Sequence, residues 1–215
     1  MTKFPILFAL LSLAVAPPVA PMARAASPTP QVAPALADPA LLGRIQTYLN
    51  RLHTLKARFV QIAPDGSQSR GTAWLERPGR MRFQYDPPTP FLLVAGHGLF
   101  VFHDSKLDQT SNIPLGQTPL GILLSDHIDL TGDGLMVTAV RQPPGELQVT
   151  LARRANSGEG SLTLTFADPP LALRQWTVTD AQGRQTTVTL YDVQLGGRFN
   201  QSLFAYIAPF VNPNR

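Results

Sequence analysis

The sequence predicts a mainly β fold: one large antiparallel sheet, curled or partly closed, with few helices to cover it. Three observations predict it. From Ala57 to Val193 apolar residues recur at steps of two, the period of a strand with one buried face. These runs are short and are separated at regular intervals by Pro, Gly and Asp clusters that mark turns. Only two segments carry helical spacing instead.

The first element is one of those helices. Asp38-Pro39 supplies an N-cap acceptor followed by proline at the first helical position. Behind it Leu41, Leu42, Ile45, Tyr48, Leu49 and Leu52 form a single apolar stripe. Phe59-Val60-Gln61-Ile62 is then a strand, closed by the turn Pro64-Asp65-Gly66. Thr72 to Arg77 and Met81 to Tyr85 form a hairpin around Pro78-Gly79. Phe91 to Ala95 and Leu99 to His103 form another around Gly96-His97-Gly98. The pattern breaks at Pro114 to Asp129, where Thr118-Pro119 and then Leu120, Ile122, Leu123 and Leu124 read as a short apolar helix. Strands resume at Leu135 to Arg141, Leu147 to Ala152, Leu162 to Phe166, Leu173 to Thr179 and Thr186 to Val193.

Residues 1–25 read as a secretory leader. Lys3 gives a positive start, Phe4 to Ala16 is apolar but too short to span a bilayer, and Ala23-Arg24-Ala25 fits a small-x-small cleavage site. Residues 26–37, with Pro28, Pro30 and Pro34, read as a Pro-rich linker, and residues 38–215 as a single domain. Cleavage removes Lys3 and Arg24 and no acid, so the formal charge of +4 falls by two, too mild a surplus to argue for nucleic acid. The chain has no cysteine, which excludes disulfides and thiol nucleophiles and leaves no acyl-anchor site behind the leader. A soluble exported protein with an ordinary hydrophobic core is expected.

Catalytic patterns are missing from the sequence. His53, His97, His103 and His127 have no metal-ligand spacing, and Asp104, Asp108, Asp126, Asp129 and Asp133 fit turn-forming roles. Gly158-Glu159-Gly160-Ser161 lacks the context of a nucleophile elbow, and there is no phosphate loop or nicotinamide fingerprint. No catalytic residue, metal or cofactor is expected. Two features remain. Alternation puts Arg77 on the face of Leu75 and Ala73, where a guanidinium that cannot shed its charge must find acceptors. It either caps a turn or pairs with Glu76 or Asp86 at the surface, or it holds a mobile cover. Arg80 and Arg82, beyond the turn, read as solvated or as contacts for an acidic partner. The second feature is a surplus of inward apolar residues, among them Phe59, Leu75, Met81, Phe83, Leu92, Val94, Phe100, Phe102, Trp176 and Val178, with only two helices to cover them. Such a sheet either packs tightly or leaves an apolar cavity.

An ordered set of segments carries a resemblance. It comprises Leu55-Lys56-Ala57-Arg58-Phe59-Val60-Gln61, Gly71-Thr72-Ala73-Trp74-Leu75-Glu76-Arg77-Pro78, Arg82-Phe83-Gln84-Tyr85-Asp86-Pro87-Pro88 and Leu93-Val94-Ala95-Gly96-His97-Gly98, then Gln109, Thr118-Pro119-Leu120 and Ser202-Leu203-Phe204. The chain resembles the periplasmic outer-membrane lipoprotein carrier proteins of the LolA type. The resemblance implies an incomplete antiparallel β-barrel covered by lid helices, with an apolar cavity for the acyl chains of a lipoprotein. It implies a monomeric, non-enzymatic periplasmic carrier. Its partners would be an inner-membrane lipoprotein-releasing ABC transporter and, where present, an outer-membrane lipoprotein receptor. Arg77 matches the arginine that bonds lid carbonyls and keeps the empty form closed, and Leu49 the helix position at the cavity entrance. Phe59, Leu75, Met81, Phe83, Leu92, Val94 and Trp176 would line the cavity, and Leu120, Ile122, Leu123 and Leu124 would form the lid. The rival reading is a related module that binds a lipid or glycolipid or senses envelope stress.

Overall fold

The computed structural model describes residues 38–206; the leader and linker expected at 1–25 and 26–37 lie outside the described residues. Helix α1 (Pro39–Arg51) starts where the capping signal placed it, with the Asp38 carboxylate accepting from the Ala40 N–H at 3.0 Å and Pro39 at the first turn. Leu41, Leu42, Ile45 and Leu49 form its buried stripe.

Eleven strands follow: β1 (Thr54–Ile62), β2 (Gln68–Glu76), β3 (Arg80–Tyr85), β4 (Phe91–Gly96), β5 (Leu99–Asp104), β6 (Gln109–Pro114), β7 (Leu135–Arg141), β8 (Glu146–Arg153), β9 (Gly160–Ala167), β10 (Ala172–Asp180) and β11 (Gln185–Leu195). They form one antiparallel sheet in the order β6-β5-β4-β3-β2-β1-β11-β10-β9-β8-β7. The sheet curls without closing, because β6 and β7 are its two edges. Consecutive strands are neighbours everywhere except between those edges, so the chain from β6 to β7 must travel from one rim of the sheet to the other. Residues 115–134 make that journey and carry Ile122, Leu123, Leu124, Ile128 and Leu130 into the core.

The concave face is apolar by alternation, interrupted by register shifts where β1 pairs with β11 and β10 with β9. Leu55, Ala57 and Phe59 of β1, Ala73 and Leu75 of β2, Met81, Phe83 and Tyr85 of β3 and their counterparts on β8 to β11 join α1 in one core. Gly71 lies between Phe59 and Tyr85 in the cross-strand row. A Cβ there would overlap the Gln84 carbonyl and come within 2.7 Å of the Phe59 ring. Its bareness lets those two rings meet edge to face, 5.2 Å between centroids.

The structure departs from the sequence reading in three places. The helix expected from Thr118 to Leu124 is a 3-10 turn, Pro119–Ile122, preceded by another at Leu115–Gln117 and capped by the Thr118 hydroxyl, which accepts from the Gly121 N–H at 3.1 Å. Strand β6 was not expected, because its six residues are all exposed and show no apolar alternation. Leu92 and Val94 stand on the convex face, not in the cavity. Pairing of Phe83 with Leu93 and of Arg82 with Val94 fixes the parity of β4, which an unbroken apolar run from Phe91 to Ala95 does not reveal. A 3-10 turn at Gln201–Phe204 packs on β3 and β4 from that side, and there the half-buried Arg82 donates to the Leu203 carbonyl at 3.1 Å.

Candidate functional site: a buried arginine beneath the cover of an apolar cavity

Arg77 follows the last residue of β2, at the hairpin turn that leads into β3. Its backbone N–H donates to the His53 carbonyl at 2.8 Å, which anchors the turn beside the end of α1. The side chain enters from the concave side and is only 7% exposed. Its acceptors are main-chain carbonyls, with the Asn50 Oδ1 at the outer limit of hydrogen-bond distance, 3.5 Å from Nη2. Nε and Nη2 donate to the Ser125 carbonyl at 2.9 and 2.6 Å, Nη2 reaches the Asp126 carbonyl at 3.2 Å, and Nη1 donates to the Leu49 carbonyl of α1. Burial pulls the guanidinium below its ordinary pKa, and the charge of Asp126 pulls the other way. The group stays cationic, so its charge is met by carbonyl dipoles rather than by an ion pair. Glu76 pairs instead with Arg80, and Asp86 with Arg58.

The cover is tied together by side chains of α1. Asn50 both donates to the Ile128 carbonyl and accepts from the Ile128 N–H, each at 2.9 Å. Gln46, one turn earlier, accepts from the Leu130 N–H at 2.9 Å. The Gly79 N–H donates to the Leu124 carbonyl at 2.8 Å from a turn with φ of +72°, a conformation glycine adopts freely. Two segments, α1 and residues 124–130, therefore sit over the concave face and meet at Arg77.

The concave face also holds a cavity of about 380 Å³ lined by Phe83, Leu93, Phe100, Phe102, Ile113, Trp176, Val178 and Val188, with Gln61, Tyr85 and Thr186, and the crossing reaches it through Thr118 and Leu120. A larger depression of about 670 Å³ runs along α1, among Arg44, Thr47, Tyr48, Arg51, Leu171 and Leu195.

The family description "Outer membrane lipoprotein carrier protein LolA" matches residues 50–207, which take in every strand, Arg77 and the whole crossing. The chain belongs to the LolA family. The outer-membrane lipoprotein carrier protein of Azotobacter vinelandii is similar, 27% identical over 188 residues that cover 83% of this chain and 89% of that protein. That of Chromohalobacter salexigens is 28% identical over 176 residues, 77% of this chain and 82% of that protein. Among solved structures, a LolA superfamily protein from Nitrosomonas europaea aligns with a TM-score of 0.43 at 10% identity, over 77% of this chain and 97% of that one.

In this LolA-family chain the residues singled out from sequence fall into three groups. Phe83, Trp176 and Leu120 line the cavity itself. Leu49, Phe59, Leu75 and Met81 are buried in the core and not in the lining, as are Ile122, Leu123 and Leu124 of the crossing. Leu92 and Val94 are on the other face. Sequence reasoning missed Asn50 and Gln46, whose only signal is a spacing of four on α1 beside the apolar stripe. It also missed Gln61, Tyr85 and Leu93 in the lining. Arg82, read as solvated, is half-buried against Leu203.

Proposed function

We propose that this chain is a non-enzymatic periplasmic carrier. It takes the acyl chains of lipoproteins released from the inner membrane into its concave cavity and delivers them to the outer membrane. The observation that carries the reading is the bonding of Arg77: one buried guanidinium whose acceptors are carbonyls on both segments that cover the concave face. Family membership supports the same reading.

The physical logic is a competition between two sets of contacts. A cavity of about 380 Å³ is near the low end of the roughly 300–1,000 Å³ typical of small-ligand pockets, so multiple acyl chains require the cover to lift. Hydrogen bonds to a charged donor contribute about 1.5–3 kcal/mol each. Breaking those of Arg77 opposes loading, and burial of alkyl chains, at about 0.8 kcal/mol per CH₂, offsets it. On release the bonds re-form, so the closed empty state pulls the cycle toward delivery. An inner-membrane ABC transporter would supply cargo and an outer-membrane receptor would accept it. No bond chemistry is needed for either step.

The test is a two-step transfer assay with acylated lipoprotein. Arg77→Leu removes stabilisation from the closed form alone, so it should fold with unchanged circular dichroism and accept cargo at least as well as the parent. It should then fail to pass cargo to an acceptor membrane or receptor, leaving loaded carrier behind. Normal delivery by Arg77→Leu would sink the latch.

A further inference from the structure

The apolar cavity contains one polar pair. Gln61 comes from β1 and Tyr85 from β3, on either side of β2. Tyr85 Oη donates to Gln61 Oε1 at 2.8 Å. The pair carries three donor hydrogens, two on the amide and one on the phenol. Their mutual bond uses one, and neither side chain has another hydrogen-bond partner among the described residues. Rotating the amide by half a turn leaves the count unchanged: the amide then donates to the phenol oxygen, and the phenol hydrogen is left over. Two donors therefore remain unspent in either arrangement. Thr186 adds a hydroxyl to the same lining, and none of the lining residues is charged. Tyr85 itself stays neutral, because burial pushes its phenol up to about 12.

A lining of this kind discriminates by chemistry. A bare alkane leaves the donors unpaired, which costs binding. An ionised carboxylate would accept their hydrogen bonds but would bring an uncompensated charge among apolar side chains. An uncharged carbonyl satisfies the donors and adds no charge. We propose that Gln61 and Tyr85 form a polar subsite of the cavity that receives an ester or amide carbonyl of the bound acyl group. It thereby selects acylated cargo over free fatty acid. The inference rests on the carrier reading for the presence of acyl chains in the cavity and adds to it a residue-level basis for their selection.

The test is a fluorescence titration of the full chain with three probes of one chain length: a pyrene-labelled monoacylglycerol, the matching pyrene-labelled fatty acid at pH 7.4, and a pyrene-labelled alkane. The ester should bind most tightly. Gln61→Leu should lose about three- to tenfold in ester affinity, the range of one neutral hydrogen bond, and bind the alkane as well or better. Tyr85→Phe, which keeps the ring, should show a smaller loss in the same direction. A pair that only braced the fold would weaken all three probes alike. That result, or an ester preference unchanged in Gln61→Leu, overturns the subsite. Alkane binding with no ester preference in the parent protein overturns the subsite and leaves the carrier reading standing. Failure of every probe to bind overturns both.

Discussion

Arg77 and Asn50 are two fasteners in one small region, with Arg77 Nη2 3.5 Å from Asn50 Oδ1. Arg77 joins the cover to the β2–β3 turn, whereas Asn50 joins the two halves of the cover to each other. Their substitutions should therefore differ. Asn50→Ala removes two backbone partners from Ile128, a loss of about 1–3 kcal/mol in stability for the polar groups left unpaired. Hydrogen exchange should speed up at the Ile128 and Leu130 amides while the strands of the sheet keep their protection; uniform loss of protection would contradict this. Arg77→Lys keeps the charge but not the planar fork that reaches Ser125 and Leu49 together, so transfer should be intermediate between parent and Arg77→Leu. Full activity of the lysine variant would show that charge alone suffices. The two residues also differed in how readable they were. Arg77 was legible because a permanent cation on an apolar face demands acceptors. Asn50 and Gln46 sit beside an apolar stripe, where most polar side chains are solvated, and only the folded crossing gives them partners. Gln61 alternates correctly with Phe59 as an inward residue, but alternation says nothing about an inward amide meeting the phenol of Tyr85.

At the scale of elements, the helix and most strands were readable because each carries a cap, a period or a turn. The two failures have one cause: a segment without contrast. Strand β6 carries a single large apolar residue, Ile113, and β4 is apolar throughout, so neither shows an alternation that marks the inner face until a neighbour fixes the register. The crossing between β6 and β7 was read as apolar but not as 3-10, since Leu120 and the run Ile122 to Leu124 suit either helix. Its second half is organised by Asp129, whose carboxylate accepts from the Thr131 N–H and hydroxyl and from the Gly132 N–H. The Thr131 N–H is the largest of the contributions that hold this carboxyl below its usual pKa. A depressed folded value means that the turn adds stability at neutral pH and loses it as pH falls through that depressed value. Exchange at the Thr131 and Gly132 amides should therefore gain protection more slowly than base-catalysed chemistry predicts as pH drops below about 3.9, the ordinary aspartate value. Asp129→Asn should flatten that dependence. A parent protein with no excess over the asparagine variant at low pH would show that the turn is held by other contacts.

For the whole molecule, one apolar face serves both as core and as container, and its occupancy should register in stability. A ligand that binds only the folded state raises stability by RT ln(1 + [L]/Kd), about 2.7 kcal/mol at a hundredfold excess over Kd. A triacylated lipopeptide should raise the melting temperature of the parent, and the non-acylated peptide should not. Leu49→Glu places a carboxylate at a fully buried position beside Arg77 and should abolish the shift. A variant that folds and still shows the full shift would place acyl binding away from α1.

The path of residues 115–134 limits how the cover moves. A flap swings on a single hinge and can leave its opening altogether. This stretch is sewn to opposite rims, at Pro114 and at Leu135, and the rims it joins share no ladder bonds with each other. It behaves as a bridle. Spreading the rims draws it taut across the mouth, and letting them relax gives it slack. Any cargo that spreads the rims would load the same backbone that carries the Ser125 and Asp126 carbonyls, so a fuller vessel would pull harder on its own fastening.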